Sequence, residues 1–368
     1  MYNTKINVKK MLSLLVFVAV IFSGCNGVAN NEKTAANNET TTSEKVEEPA
    51  QTAASNLSET QTEEPIKDIP YKFNPHEYSA KMAESYTEDH WTSFYNLCDA
   101  LRVGKDTFKC ASKKIYEWCM DEVTLSQLFP AACMKVMGKS NDGTTPYKKG
   151  IGRIYYNMPK KKFVKRQAKF EKRVTKVIND NVRSSYSDFE KCLFLYKYME
   201  SNFKYNHKWP SFGNDGADYY SFMHKKGICC ELAAVYAYLL RQVGVDAFEY
   251  GCSESMEHAW TYVVVNGKGY HIDPTWALKS ELGNDDLYLD YFMMSKKDRT
   301  EDNFDLSTAT IPLLPEYDVS KSGKKFPAKD KTYSCLRDTY FEDIDTEKNI
   351  LYYRSASDDK VHELKYED

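Results

Sequence analysis

The stretch from Cys230 to Val243, CELAAVYAYLLRQV, is apolar on nearly every side and has no internal Gly or Pro. That pattern predicts a buried helix. Gly244 follows as its C′ stop, and Arg241 suits the negative end of its dipole. Gly227 precedes it, where a tight backbone turn is expected. Residues 259–265 (AWTYVVV) are aromatic and β-branched, a strand composition. Asn266-Gly267 is a strong two-residue hairpin signal, residues 269–273 form the returning strand, and Pro274 ends it. Upstream, 160–180 reads as an amphipathic helix with Phe163, Phe170, Val174 and Val177 on one face. Its other face carries Lys160–Lys162, Lys165, Arg166, Lys169, Lys172 and Arg173, read as solvated. The next helix opens with a Ser187/Glu190 capping box and buries Phe189, Leu193 and Tyr196. Residues 75–150 alternate helical runs with turn signals such as Asn141-Asp142-Gly143, 150–156 reads as one strand, and 338–366 holds two or three short strands around Ser357-Asp358-Asp359. The expected fold class is α+β: a helix packed on an antiparallel sheet, a mostly helical N-terminal extension and a small C-terminal β extension.

The N-terminus changes the picture. Lys5, Lys9 and Lys10 precede the short apolar run Met11–Phe22, which is too short to span a bilayer, and Phe22-Ser23-Gly24-Cys25 resembles a bacterial lipobox. Residues 1–24 are therefore expected to be a lipoprotein signal peptide. Cys25 would carry acyl chains that hold the protein on the outer face of a bacterial membrane. The alternative is an ordinary cleaved secretory signal. Residues 25–65 are polar, with hardly any large apolar side chains, and read as a tether without a core. Within 26–65, eight acids face Lys33 and Lys45. The whole chain carries a net charge of −3, so after loss of the signal the tether accounts for the entire negative balance. The remainder is near neutral, which argues against nucleic acid as a partner. That remainder divides into 66–158, mostly helical or mixed, 159–300, and a C-terminal linker and hairpin at 301–368.

Candidate chemistry lies in the middle region. Gly227-Ile228-Cys229, His258-Ala259-Trp260 and Asp273-Pro274-Thr275 supply a thiol, an imidazole and a carboxylate. Cys229 falls in the first turn of the predicted helix, where free N–H groups and the dipole favour thiolate. A two-residue hairpin loop puts His258 and Asp273 on one face of the sheet, with Asp273 opposite Trp260 and diagonal to His258, within imidazole–carboxylate reach. The roles that follow are nucleophile for Cys229, general base and acid for His258, and orienting group for Asp273. The Cys229 N–H is one candidate oxyanion donor, and Tyr205 a second. Trp260 either shelters the site from water or packs the core. Cys230 is the competing nucleophile, or a bridge partner for Cys252; one residue along a helix turns the side chain by about 100°, so Cys229 and Cys230 cannot both face His258. Apart from these and Cys25, seven cysteines remain, of which Cys98, Cys110, Cys119 and Cys133 lie close enough in sequence for a bridge, while Cys192 reads as a buried thiol. A metal set of Cys229, Cys230, His258, His271 and Asp273 lacks any CxxC or HxxxH pair, so no metal and no cofactor are expected. His207 and His224 read as surface loop residues.

Taken together, Gly227, Cys229, Leu232, Ala233, His258, Ala259, Trp260, Asp273, Pro274 and Thr275 resemble the transglutaminase-like superfamily, whose core is papain-like. Leu232 stands where that family usually has an aromatic. The resemblance covers roughly 185–300, with Phe203-Lys204-Tyr205-Asn206 as the lead-in and Tyr291–Ser295 as a further barrel strand. It implies the triad Cys229, His258 and Asp273 and thiol attack on an amide or ester carbonyl. The leading expectation is a cell-surface cysteine hydrolase acting on peptides or proteins. The alternatives are a non-catalytic surface scaffold and a protein-glutamine acyl transferase that cross-links.

Overall fold

The computed structural model describes residues 68–138, 146–208, 212–252, 257–283, 285–314 and 326–367, without the side chains of Cys252 and Thr308. The signal segment, the tether and the Asn141-Asp142-Gly143 turn lie outside the described residues.

The N-terminal region runs α1 (Ala80–Ala83), α2 (Glu88–Arg102), β1 (Thr107–Lys109), α3 (Lys113–Cys119), α4 (Glu122–Leu128), β2 (Val136–Met137), β3 (Tyr147–Lys148), β4 (Ile151–Arg153) and β5 (Tyr155–Tyr156). The single strand expected over 150–156 is two pieces. β4 joins the sheet β1-β4-β3, and β5 pairs with β2. The side chain of buried Ile154 at the break enters the core beside Phe108 and Phe163.

The central elements are α5 (Lys160–Asn181), α6 (Asp188–Asn202), β6 (Lys204–Tyr205), α7 (Ala217–His224), β7 (Lys226–Gly227), α8 (Cys229–Gln242), β8 (Asp246–Cys252), β9 (His258–Val265) and β10 (Lys268–Ile272). α5 buries the four predicted apolar residues and also Gln167. Of its basic face, Arg166 is not solvated: it donates to the Ala131 carbonyl and lies over Tyr219, 3.3 Å from the ring centroid. α6 opens with the Ser187/Glu190 capping box, both halves formed. Then come α9 (Lys279–Leu282), α10 (Lys296–Glu301), β11 (Ala309–Thr310) and the three-stranded antiparallel sheet β12 (Thr339–Asp345), β13 (Ile350–Ser355), β14 (Val361–Lys365).

The main sheet is antiparallel, in the order β10-β9-β8-β11. Lys268 pairs with Val265 across Asn266 and Gly267, whose φ values of 50° and 71° are those a type I′ turn requires. Alternation along β9 sends Val263 and Val265 into the core shared with α8, and Trp260 and Tyr262 into the core shared with the N-terminal region. With both faces covered, β9 reads as a continuous apolar run rather than an alternating one. Phe304, Leu306 and Ile311 from beyond residue 300 join that second core, so the sequence segments interlock around one sheet.

Three further expectations change. Tyr291–Ser295 is not a strand; only Met294 makes an isolated bridge, to His271. His224 ends helix α7 rather than lying in a loop, whereas His207 is an exposed residue beside Glu281. Arg241 serves more than the helix dipole: buried, it donates to the carbonyls of Ala247 and Gln127 and pairs with Glu77.

Candidate active site

Cys229 is the first residue of α8 and is partly exposed. At that position its N–H has no intrahelical acceptor. The helix start is fixed from inside: the Ile228 N–H donates to Glu231 Oε2 at 3.2 Å. Gly227 is needed here for close approach rather than for a turn. It lies in the short parallel pair of β7 with β6, and a Cβ on it would stand 2.5 Å from Ser221 Oγ and 2.7 Å from Glu231 Oε2. That pair also sets Tyr205 opposite Gly227, two residues before Cys229 in sequence.

His258 opens β9 and is buried. Its Nε2 lies 2.7 Å from Asp273 Oδ2. The other ring nitrogen, Nδ1, is thereby left for Cys229. The ring stacks on Trp276, at 4.9 Å between centroids, and on Phe304, at 5.7 Å. These two rings are themselves 5.5 Å apart, so they flank the imidazole side by side without enclosing it.

Asp273 follows β10 and is fully buried. Pro274 has no N–H, so the Asp273 side chain turns onto the next donors: Oδ1 accepts from the N–H of Thr275 at 2.9 Å and of Trp276 at 3.3 Å. Oδ2 accepts from His258 and from Arg299 Nη2, each at 2.7 Å. Four donors therefore surround one carboxylate.

The charges follow from these contacts. Burial by itself would raise the Asp273 carboxyl, but His258 and Arg299 outweigh it and hold the group at about 2. Burial would likewise lower the His258 imidazole; the Asp273 carboxylate and the Cys229 sulfur outweigh it and raise the group to about 9. The Cys229 thiol is held well below its ordinary range by the adjacent Cys230 thiol, by His258 and by the Ala259 N–H, against the opposing effect of burial. Cys230 moves the other way, raised by its contact with Cys229, by burial and by Glu249 and Glu231. His258 acts on Cys229, not on Cys230, so the two neighbouring thiols divide into a thiolate and a protonated donor to it. The Tyr205 phenol is raised by burial and by the charge at Cys229, and stays protonated.

Trp260 and His271 form a separate pair. Trp260 is fully buried and its Nε1 donates to His271 Nδ1 at 3.0 Å. Burial lowers His271 to about 3, which keeps it a neutral acceptor. His271 is thus taken up by the core. No group of His, Cys, Asp or Glu suited to a metal occurs among the described residues. Cys98, Cys110, Cys119, Cys133 and Cys192 are buried free thiols, so the bridge expected among the first four is absent there; Cys110 and Cys119 share a hydrogen bond instead. The side chain of Cys252 lies outside the described residues.

Three site residues carried no legible signal. Arg299, Trp276 and Phe304 lie on α10 or in loops, and no periodicity or motif ties them to Asp273. A buried acid group at the start of α8, with Glu231 on that helix, Asp218 on α7 and Glu249 on β8, is equally silent in the sequence. Each of these carboxyls is raised by burial first.

Residues 175–284 match the family model of the transglutaminase-like superfamily. No curated protein matches the chain. Among solved structures, the chain is similar to a "Putative Cysteine Protease" from Cytophaga hutchinsonii at 18% identity and a TM-score of 0.23. That alignment covers 29% of this chain and 37% of the other, so the chain spans well under half the length of that protein. Helix α8 packed on the antiparallel sheet β8-β9-β10 lies within that span, so the segment of this chain that is similar to the transglutaminase-like superfamily, residues 175–284, is a mixed helix-and-sheet region consistent with it.

Proposed function

We propose that the chain is a cysteine hydrolase of peptide or protein amides, held on the outer face of a membrane by acyl chains on Cys25. The observation that carries the reading is the line of contacts from Asp273 through His258 to a partly exposed Cys229.

In the first half-reaction the Cys229 sulfur attacks the carbonyl carbon and forms a C–S bond. The resulting oxyanion is met by the Cys229 N–H and the Tyr205 hydroxyl. The C–N bond then breaks, and His258 passes its proton to the leaving amine. In the second, His258 takes a proton from water, the hydroxide attacks the thioester, and the acid leaves as the thiol is restored. Asp273 keeps the imidazole tautomer and steadies the imidazolium throughout. Trp260 contributes by packing behind the imidazole.

An amine in place of water in the second half-reaction would make the chain an acyl transferase, the second reading. A third, a binding scaffold, would not need the imidazole that stands against Cys229.

The test is labelling with an electrophilic peptide probe, followed by peptide mapping. Cys229→Ser should abolish labelling and Cys230→Ser should retain it. The opposite pattern overturns the assignment. Adding a primary amine with a glutaminyl peptide separates hydrolysis from transfer by product mass. Release of a lipidated N-terminal peptide from bacterial membranes would test the anchor.

A further inference from the structure

We infer that Arg299 is a positioning residue of the site, one that fixes the Asp273 carboxylate and sets how strongly that carboxylate holds the proton on His258. This deepens the hydrolase reading and rests on it.

The geometry is specific. Arg299 is fully buried, although a guanidinium pays a desolvation cost of several kcal/mol unless it is paired and held. Here one arm, Nη2, donates to Asp273 Oδ2 at 2.7 Å, the oxygen that also takes His258 Nε2. The other arm, Nη1, donates to Asp302 Oδ2 at 3.1 Å. The guanidinium plane lies against Trp260 and Phe304, each with its centroid at 4.2 Å, and against Trp276 at 4.9 Å. Trp276 and Phe304 are the two rings that stack on His258. One cluster of aromatic rings therefore touches both cations, and both point at one oxygen.

Two consequences follow. Asp273 cannot rotate without breaking a bond to Arg299, so the imidazole is presented to Cys229 in one orientation. In addition, a second positive charge on Oδ2 competes with the imidazolium, so His258 holds its proton less tightly than it would beside a carboxylate of its own. The charged and titratable groups facing this cluster are Cys229 from α8, His271 from β10, Tyr196 from α6, Tyr291 and Asp290 from the segment before α10, and Lys296 and Asp302 at the ends of α10. Asp302 is bonded to the far arm of Arg299, so it draws that cation away from Asp273.

These charges give opposite signs on the two sides of Arg299. The readout is the rate of Cys229 alkylation by iodoacetamide against pH, mapped by mass spectrometry. It needs no substrate. In the parent the rate should rise in two steps, the lower at formation of the thiolate–imidazolium pair and the upper at loss of the His258 proton. Arg299→Met should move the upper step up by about one pH unit, because a nearby charge is worth one to three units. Arg299→Lys, which keeps the charge, should leave it close to the parent. Asp302→Asn should move it down. A purely structural Arg299 predicts no such pair of opposite shifts. A two-step parent profile with unmoved upper steps in Arg299→Met and Asp302→Asn overturns the role of Arg299 alone. A parent profile with one step at the free-thiol position overturns the hydrolase reading and this inference with it. If Arg299→Met does not fold, Asp302→Asn decides: a lower step supports the inference, and an unmoved or higher one overturns it.

Discussion

His258 Nε2 meets Asp273 Oδ2 at 2.7 Å, with both side chains buried. The two residues stand at the two ends of one hairpin, and the I′ turn at Asn266-Gly267 sets the register that brings them together.

Asp273→Asn tests that contact. Asparagine is uncharged and leaves Arg299 with one carboxylate fewer. Breaking a buried pair by removing one partner costs about 3–5 kcal/mol. On the hydrolase reading, turnover should fall on the order of 10²–10⁴, as expected when the imidazole tautomer is lost. Stability is to be read from denaturant unfolding and kcat from steady-state rates. Parent-like values for both would remove the orienting role.

The same pair predicts a window of stability. The His258 group rises from 6.5 to about 9 in the folded protein, so its contribution is complete below about pH 6.5 and is lost as pH climbs to 9. The Asp273 group falls from 3.8 to about 2, so its contribution is complete above about pH 4 and is lost as pH drops to 2. Unfolding midpoints measured from pH 2 to 10 should flatten at both edges in a His258→Ala, Asp273→Ala double variant. Unchanged edges would show that other groups set them.

Glu231 contributes with the opposite sign. Burial, then Asp218, raises its carboxyl from 4.5 to about 8, so the folded state is progressively destabilised as pH rises from 4.5 to 8. Glu231→Gln keeps an acceptor for the Ile228 N–H and removes the charge. It should stabilise the protein by about 4 kcal/mol at pH 8 and hardly at all at pH 4.5. Equal effects at both pH values in urea melts would contradict the buried-acid account.

Gly227→Ala probes the space behind Cys229. The new Cβ would press on Ser221 Oγ and the Glu231 carboxylate, both buried. Overpacking of this kind costs about 1–3 kcal/mol. Because Glu231 ties down the start of α8, alkylation of Cys229 should slow as well. A variant of parent stability and reactivity would mean that the neighbours give way freely.

Much of the core was legible because it rests on local rules. The α8 run, the alternation in β9, the I′ turn and the Ser187 cap each need only neighbours in sequence. The hairpin register alone was enough to put His258 and Asp273 on one face. The errors arose where packing overrides pattern. Tyr291–Ser295 looks like a strand, but its side chains are absorbed by the helical core, and a single bridge at Met294 remains. Gly227 looks like a turn glycine, yet it is Ser221 and Glu231, from two other elements, that demand it.

By itself the sequence determined that a thiol at a helix start, an imidazole and a carboxylate would be carried by one helix and one hairpin. Backbone hydrogen bonds and side-chain period act over a few residues, so these facts are local. Only the tertiary structure decided how the charges are balanced. Arg299 reaches Asp273 from 26 residues away, clamped by rings from three segments, and Cys229 is separated from Cys230 by what surrounds each sulfur. Electrostatics in a buried site depends on all neighbours within a few ångströms, whatever their place in the chain, and that neighbourhood exists only once the chain has folded.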